Sequence, residues 1–173
     1  MEASIRKAVG ALRMAIRIEQ NGYRFYRRAA EETSDPEAKE LFNGLAEDEV
    51  GHEEMLSRRL EALEQDGVWT PVDAEEWPAG NPRPSGEPVF SSERLKEEVY
   101  DYTSELSALR MAYLIEKNAV AFYTKAARET EDPVGKAMYQ DLADWEREHQ
   151  RVLEEEYRFL ADRFKLDMGF APF

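Results

Sequence analysis

The chain has 173 residues, 42% hydrophobic and 35% charged, which suits one domain with a sizeable core and excludes a disordered chain. Its formal net charge of −14 disfavours phosphate backbones and anionic membrane surfaces, which need clustered Lys and Arg. With no cysteine, disulfides, thiolate zinc sites, iron–sulfur clusters and Cys nucleophiles are excluded, so any metal is held by oxygen and nitrogen.

No nucleic-acid or membrane partner is therefore expected. No apolar run is long enough to span a bilayer, and Met1 to Lys7 lacks the apolar core of a secretory signal, so a cytoplasmic location is expected. Strong helix formers dominate and no period-two alternation of apolar and polar residues occurs, which predicts an all-α fold in a single domain over 1–173.

The first helix is predicted from about Ser4 to Glu32, with Ile5, Val9, Leu12, Ile16, Tyr23, Tyr26 and Ala30 at three- and four-residue spacing and Glu19 in the middle of that stripe. It ends before Ser34-Asp35-Pro36, where Asp35 can cap the next helix and Pro36 can take its first turn without losing a needed N–H. The second helix carries Phe42, Leu45, Glu49, His52, Leu56, Leu60 and Leu63 on one side and stops near Gln65-Asp66-Gly67. The crossover, about 66–103, is rich in proline and glycine between Gly67 and Ser91, which rules out a continuing helix. It is read as a crossing from one end of a bundle to the other that lets the third helix start where the first started, with a short helix near Ser92 to Tyr100. The third helix, about Ser104 to Thr130, sets Leu109, Ala112, Glu116, Ala119, Tyr123 and Ala126 on one face. Asp132-Pro133 opens the fourth, which carries Met138, Leu142, Glu146, His149, Leu153 and Leu160 as far as about Phe164, before an apolar tail over 165–173.

The two halves repeat. Sliding the second back by 97 positions pairs Ala11 to Leu63 with Ala108 to Leu160 without a gap, and 23 of the 53 pairs are identical, which marks a duplicated helical hairpin (about 4–65 and 104–164). Two such hairpins joined by a long crossover form a four-helix bundle with pseudo-twofold symmetry.

The duplicated positions include both histidines of the chain. Each closes a Glu-x-x-His pair, Glu49 with His52 and Glu146 with His149, and each pair follows a lone glutamate, Glu19 or Glu116, after 29 intervening residues. Positions i and i+3 share a helix face, so each pair can chelate one ion. Six ionisable groups on apolar stripes are costly to bury unless neutralised, and two divalent cations would match four carboxylates. Hard oxygen donors with one imidazole per metal favour iron or manganese; zinc would bind without redox chemistry.

Glu-x29-Glu-x-x-His, present twice around a long crossover, resembles the rubrerythrin branch of the ferritin-like di-iron family over nearly the whole chain. The resemblance implies two iron ions, with Glu19 and Glu116 as terminal ligands, Glu49 and Glu146 bridging, and His52 and His149 one on each iron. It also implies chemistry on peroxide, dioxygen or ferrous iron. The chain departs from the family in two ways. Typical rubrerythrins append a Cys-rich rubredoxin domain that feeds electrons, and their absent cysteines imply here an external donor such as a rubredoxin-like protein. They also carry an extra glutamate three residues after the third-helix ligand, where this chain has Ala119. The expected function is a di-iron oxidoreductase reducing peroxide or dioxygen. The alternatives are a ferroxidase or iron-storage protein, a di-iron hydroxylase of an organic substrate, and an interaction module.

Tyr26 and Tyr123 lie seven residues after the lone glutamates, where their hydroxyls could reach a metal-bound carboxylate or simply fill the core. Asn21 and Asn118 point away and receive no role. Trp145 stands beside Glu146 where the first half has Asp48, and is read as packing. Ile18, Phe25, Leu114, Ile115 and Phe122 fall partly outside the core stripes, which with the apolar tail predicts a homodimer.

Overall fold

The computed structural model describes residues 3–78 and 102–168. Four long helices carry the fold: α1 (Ala3–Glu32), α2 (Pro36–Gln65), α3 (Tyr102–Glu129) and α4 (Pro133–Asp167). None of them is long and apolar enough to cross a membrane.

Both hairpin turns are built alike. Asp35 accepts hydrogen bonds from the backbone N–H of Glu37 (2.8 Å) and Ala38 (3.0 Å), and Asp132 accepts from those of Val134 (2.8 Å) and Gly135 (3.2 Å). In each case a carboxylate satisfies otherwise orphaned donors and the following proline starts the helix in its preset φ. At the far end of α2, Gly67 turns the chain away with φ +70°, a value that costs a residue with a Cβ far more.

Packing of α1 along α2 and of α3 along α4 forms the two hairpins, which meet through α1 and α3. The third helix starts where the first ends, not where it starts. Thr33 donates to Glu105 at 3.0 Å at one end of the bundle, and Lys7 meets Glu129 at 3.4 Å at the other. The reason is geometric: α2 has already returned to the starting end, and α3 begins at the opposite one, so α3 runs antiparallel to α1.

The core divides into two apolar layers, one around Tyr26, Phe42, Leu45, Leu109 and Leu153, the other around Leu12, Leu56, Tyr123, Tyr139 and Leu142. Two expectations change in detail. Tyr23 lies at the edge of the α1 stripe and is 38% exposed, and α4 continues through Asp167, taking in the first residues of the expected tail. The rest of that tail beyond Met168 and the short helix near 92–100 fall outside the described residues.

The first part of the crossover is seated on the bundle as a strap. Trp69 lies where a Cβ on Gly135 would meet its indole at 2.6 Å, and its ring stands edge-on to Tyr139. Further along, after one 3-10 turn (Ala74–Glu76), Pro78 lies so close to Gly51 that a Cβ there would meet it at 2.8 Å. Between them the buried Arg59 reaches out of α2 to the Pro71 carbonyl and to both carboxylate oxygens of Glu76.

Candidate metal centre

Each of the four helices brings acidic or imidazole side chains to the middle of the bundle. Glu19 (α1), Glu49 and His52 (α2), Glu116 (α3), and Glu146 and His149 (α4) are each 3% exposed or less. They fall into two overlapping groups. Glu19, Glu49, His52 and Glu146 offer ligand atoms all within 4.8 Å of one another, and so do Glu49, Glu116, Glu146 and His149. Glu49 and Glu146 belong to both groups, while one lone glutamate and one histidine belong to each.

The close pairs are nitrogen to oxygen: His52 Nδ1 lies 3.3 Å from Glu19 and 3.4 Å from Glu146, and His149 Nδ1 lies 3.2 Å from Glu146. These contacts lack hydrogen-bond geometry. Glu19 Oε2, Glu116 Oε2, both oxygens of Glu146 and Nδ1 of both histidines are buried with no hydrogen-bond partner. Buried polar atoms are normally satisfied, and six left without partners, on residues whose ligand atoms gather within 4.8 Å in each of the two groups, fit cations far better than a proton network.

The electrostatics agree. Burial, then the neighbouring carboxylates, push Glu49 and Glu116 well above the usual carboxylate range. Burial alone would lower His52, but the carboxylates of Glu146 and Glu19 outweigh it and raise the imidazole to about 9. His149 is raised in the same way beside Asp48 and Glu146. For Glu146 the effect of burial is overcome by the two histidines, which hold it below the carboxylate range. Protons on histidines and glutamates thus supply the positive charge that a pair of divalent ions would supply in their place.

The tyrosines cross between halves. Tyr26 of α1 donates its hydroxyl to Glu116 of α3, and Tyr123 of α3 donates to Glu19 of α1. Each phenol therefore fixes one oxygen of a glutamate and leaves the other to face the centre. Asn21 and Asn118 are exposed, apart from the site. Ala119 is buried in the apolar layer beside the site.

Three contributors were given no part in the site by sequence, Trp145 among them having been read as packing. Asp48, 4% exposed, lies 3.1 Å from Nε2 of His149, and its carboxylate accepts the ring N–H. The signal was its place one residue before Glu49, at the position where the other half has Trp145. That tryptophan lines the site rather than merely filling space: its ring stands edge-on 5.7 Å from His52 and 6.3 Å from His149, and Trp77 of the strap stacks on it at 6.3 Å while also meeting His52. The third, Gly22, leaves room for the Glu49 carboxylate.

Among the described residues, four cavities of about 300 to 810 Å³ are lined by none of the six converging side chains. The rubrerythrin family model matches residues 10–157, a span that contains all six. No curated protein and no solved structure matches the chain.

Proposed function

The chain belongs to the rubrerythrin family, and from that premise we propose that it is a di-iron oxidoreductase that reduces hydrogen peroxide or dioxygen with electrons from a separate donor. The observation that carries this reading is the pair of overlapping ligand groups, joined through Glu49 and Glu146. A carboxylate-bridged pair of ions is the arrangement for exchanging two electrons with one small oxidant, and iron, or manganese in its stead, supplies those electrons when bound. In this reading Glu19 and Glu116 are terminal ligands, Glu49 and Glu146 bridges, and His52 and His149 one imidazole for each ion.

The protein's own residues do the rest. Tyr26 and Tyr123 hold Glu116 and Glu19 in place and put a phenolic O–H at the edge of the centre. Trp145 and Trp77 close the side of the centre next to His52. A centre whose six converging side chains are all buried suits a reactant the size of peroxide or dioxygen. Partly exposed apolar residues along α1 and α3, Met14, Met111 and Leu114 among them, support the homodimer as part of the proposal.

A second reading, a ferroxidase that oxidises and hands on iron, is favoured by Ala119, which fills with a methyl group the position of the family's extra glutamate. The test is to mix the anaerobic ferrous protein separately with peroxide and with dioxygen under stopped flow. Fast oxidation by peroxide and slow oxidation by dioxygen is expected; the reverse order would favour the ferroxidase. Elemental analysis is expected to give close to two iron or manganese ions per chain.

A further inference from the structure

The two halves of the centre repeat each other in every converging residue and differ in what stands behind the histidine. Behind His149 is Asp48 of α2, accepting from Nε2 at 3.1 Å. The counterpart of Asp48 in the second half is Trp145, and it is this indole that meets His52. Nε2 of His52 is buried with no hydrogen-bond partner. Both imidazoles turn Nδ1 toward the carboxylates, so binding an ion through Nδ1 leaves the ring proton on Nε2. On His149 that proton has a carboxylate acceptor, which fixes the tautomer and ring orientation and makes Nδ1 the better donor. On His52 it has none: an indole carries no free lone pair and offers at most the weak attraction of its π face, and Trp77 stacked on the outer side of Trp145 screens the position from water that could take the proton.

Resting on the metal-pair reading above, we propose that Asp48 makes the two metal positions unequal: the one formed by Glu49, Glu116, Glu146 and His149 fills first, and the one formed by Glu19, Glu49, His52 and Glu146 fills second and empties first. Asp48 is a positioning residue in this scheme, and Trp145 is the residue that withholds the same support from the other half. After one equivalent the main species is then the chain with one ion held and the second position open, where two equivalent and independent positions would give a mixture of empty, singly and doubly loaded chains.

The experiment is titration of metal-free full-length protein with Mn(II) alone, followed by calorimetry and by electron paramagnetic resonance, which separates single bound ions from an exchange-coupled pair. In the wild type the first equivalent is expected to give the single-ion signal and the second to convert it to the pair. Asp48→Asn is expected to weaken the first step about 10- to 100-fold, the usual effect of removing such a support, and to leave the second step nearly unchanged; a purely structural defect would weaken both. His52→Ala should keep the tight step and His149→Ala should lose it, which places that step in the fold. Trp145→Asp, which gives His52 the same kind of partner, should strengthen the second step toward the first. The proposal is overturned if the wild type shows one affinity with the coupled pair from the first addition, or if Asp48→Asn leaves the first step intact. No uptake of Mn(II) at all would overturn the metal-pair reading itself.

Discussion

A Cβ placed on Gly22 of α1 would stand 2.7 Å from Oε1 of Glu49 on α2. The neighbour is the far end of a flexible side chain, so the contact is costly only while that carboxylate is pinned. Gly22→Ala is therefore expected to act in opposite directions on the two forms of the protein. Without metal, Glu49 swings aside and the helix gains up to about 1 kcal/mol from the better helix former. With metal, the bridging position is displaced and the stabilisation on adding Fe(II) or Mn(II) shrinks. Thermal melts with and without metal check this; an unchanged metal-induced shift would show that Glu49 does not bridge.

The crossed phenol bonds predict an alkaline limit. Burial, then nearby carboxylates, hold Tyr26 and Tyr123 well above the ordinary phenol value, and burial alone raises Tyr139. A group whose folded pKa is raised contributes stability that is fully present below its unfolded pKa and is lost as pH rises past it, here above about 10. These three phenols are expected to ionise only as the chain unfolds, as one cooperative step in ultraviolet absorbance that coincides with loss of helix. Phe in place of either Tyr26 or Tyr123 should cost the metal-free protein about 1–3 kcal/mol, since each leaves a buried glutamate without its donor.

That six side chains share one centre was legible because helical periodicity and a gapless 97-residue repeat place them at equivalent points of two hairpins. Which glutamate each tyrosine reaches was not legible, because it depends on the antiparallel course of α1 and α3, and that follows from counting bundle ends rather than from periodicity. The mismatch of Asp48 with Trp145 was visible in the alignment of the halves. Its meaning was hidden because both side chains act across the α2–α4 boundary, on a histidine of the other half. The strap was the least legible part: a proline-rich segment has no period, and its seat is set by two glycines and one buried arginine that read as ordinary helix residues.

The metal-free protein should lose stability as pH rises through neutrality. His52 is raised from 6.5 to about 9, so its contribution is full below about 6.5 and gone above 9. Raised His149, Glu49 and Glu116 act with the same sign. Depressed Glu146 acts oppositely, its contribution being lost as pH falls below the unfolded carboxylate value. The melting temperature without metal is expected to peak on the order of pH 5 to 6 and to fall toward pH 9. Bound metal displaces the protons, so the loaded protein should not show this fall. Melting temperatures of apoprotein that climb steadily from pH 5 to 8 would contradict the expectation.

The strap should come away before the bundle unfolds, and Glu76 is the residue that decides when. Its carboxylate takes Arg59 Nη2 at 2.6 Å and Arg58 Nε at 2.8 Å, and the hydrogen bonds from Arg59, against the opposing effect of burial, hold it down at about 2. A depressed carboxylate contributes stability above its unfolded pKa, which is lost as pH falls through the folded one, so the anchor weakens between about pH 4.5 and 2. Glu76→Gln removes the charge at all pH values and leaves the Arg59 guanidinium buried without a counter-charge. The expected cost is about 2 kcal/mol, below the ~3–5 kcal/mol of a fully enclosed pair because Glu76 is 20% exposed. All three tryptophans report on the strap, since Trp69 and Trp77 belong to it and Trp145 lies under Trp77. Their emission should shift to the red in Glu76→Gln at neutral pH, and in the wild type on acidification, while helical circular dichroism is retained. If emission and helicity change together in both proteins, the strap and the bundle are one cooperative unit, and Glu76 fastens the whole fold rather than a cover over His52.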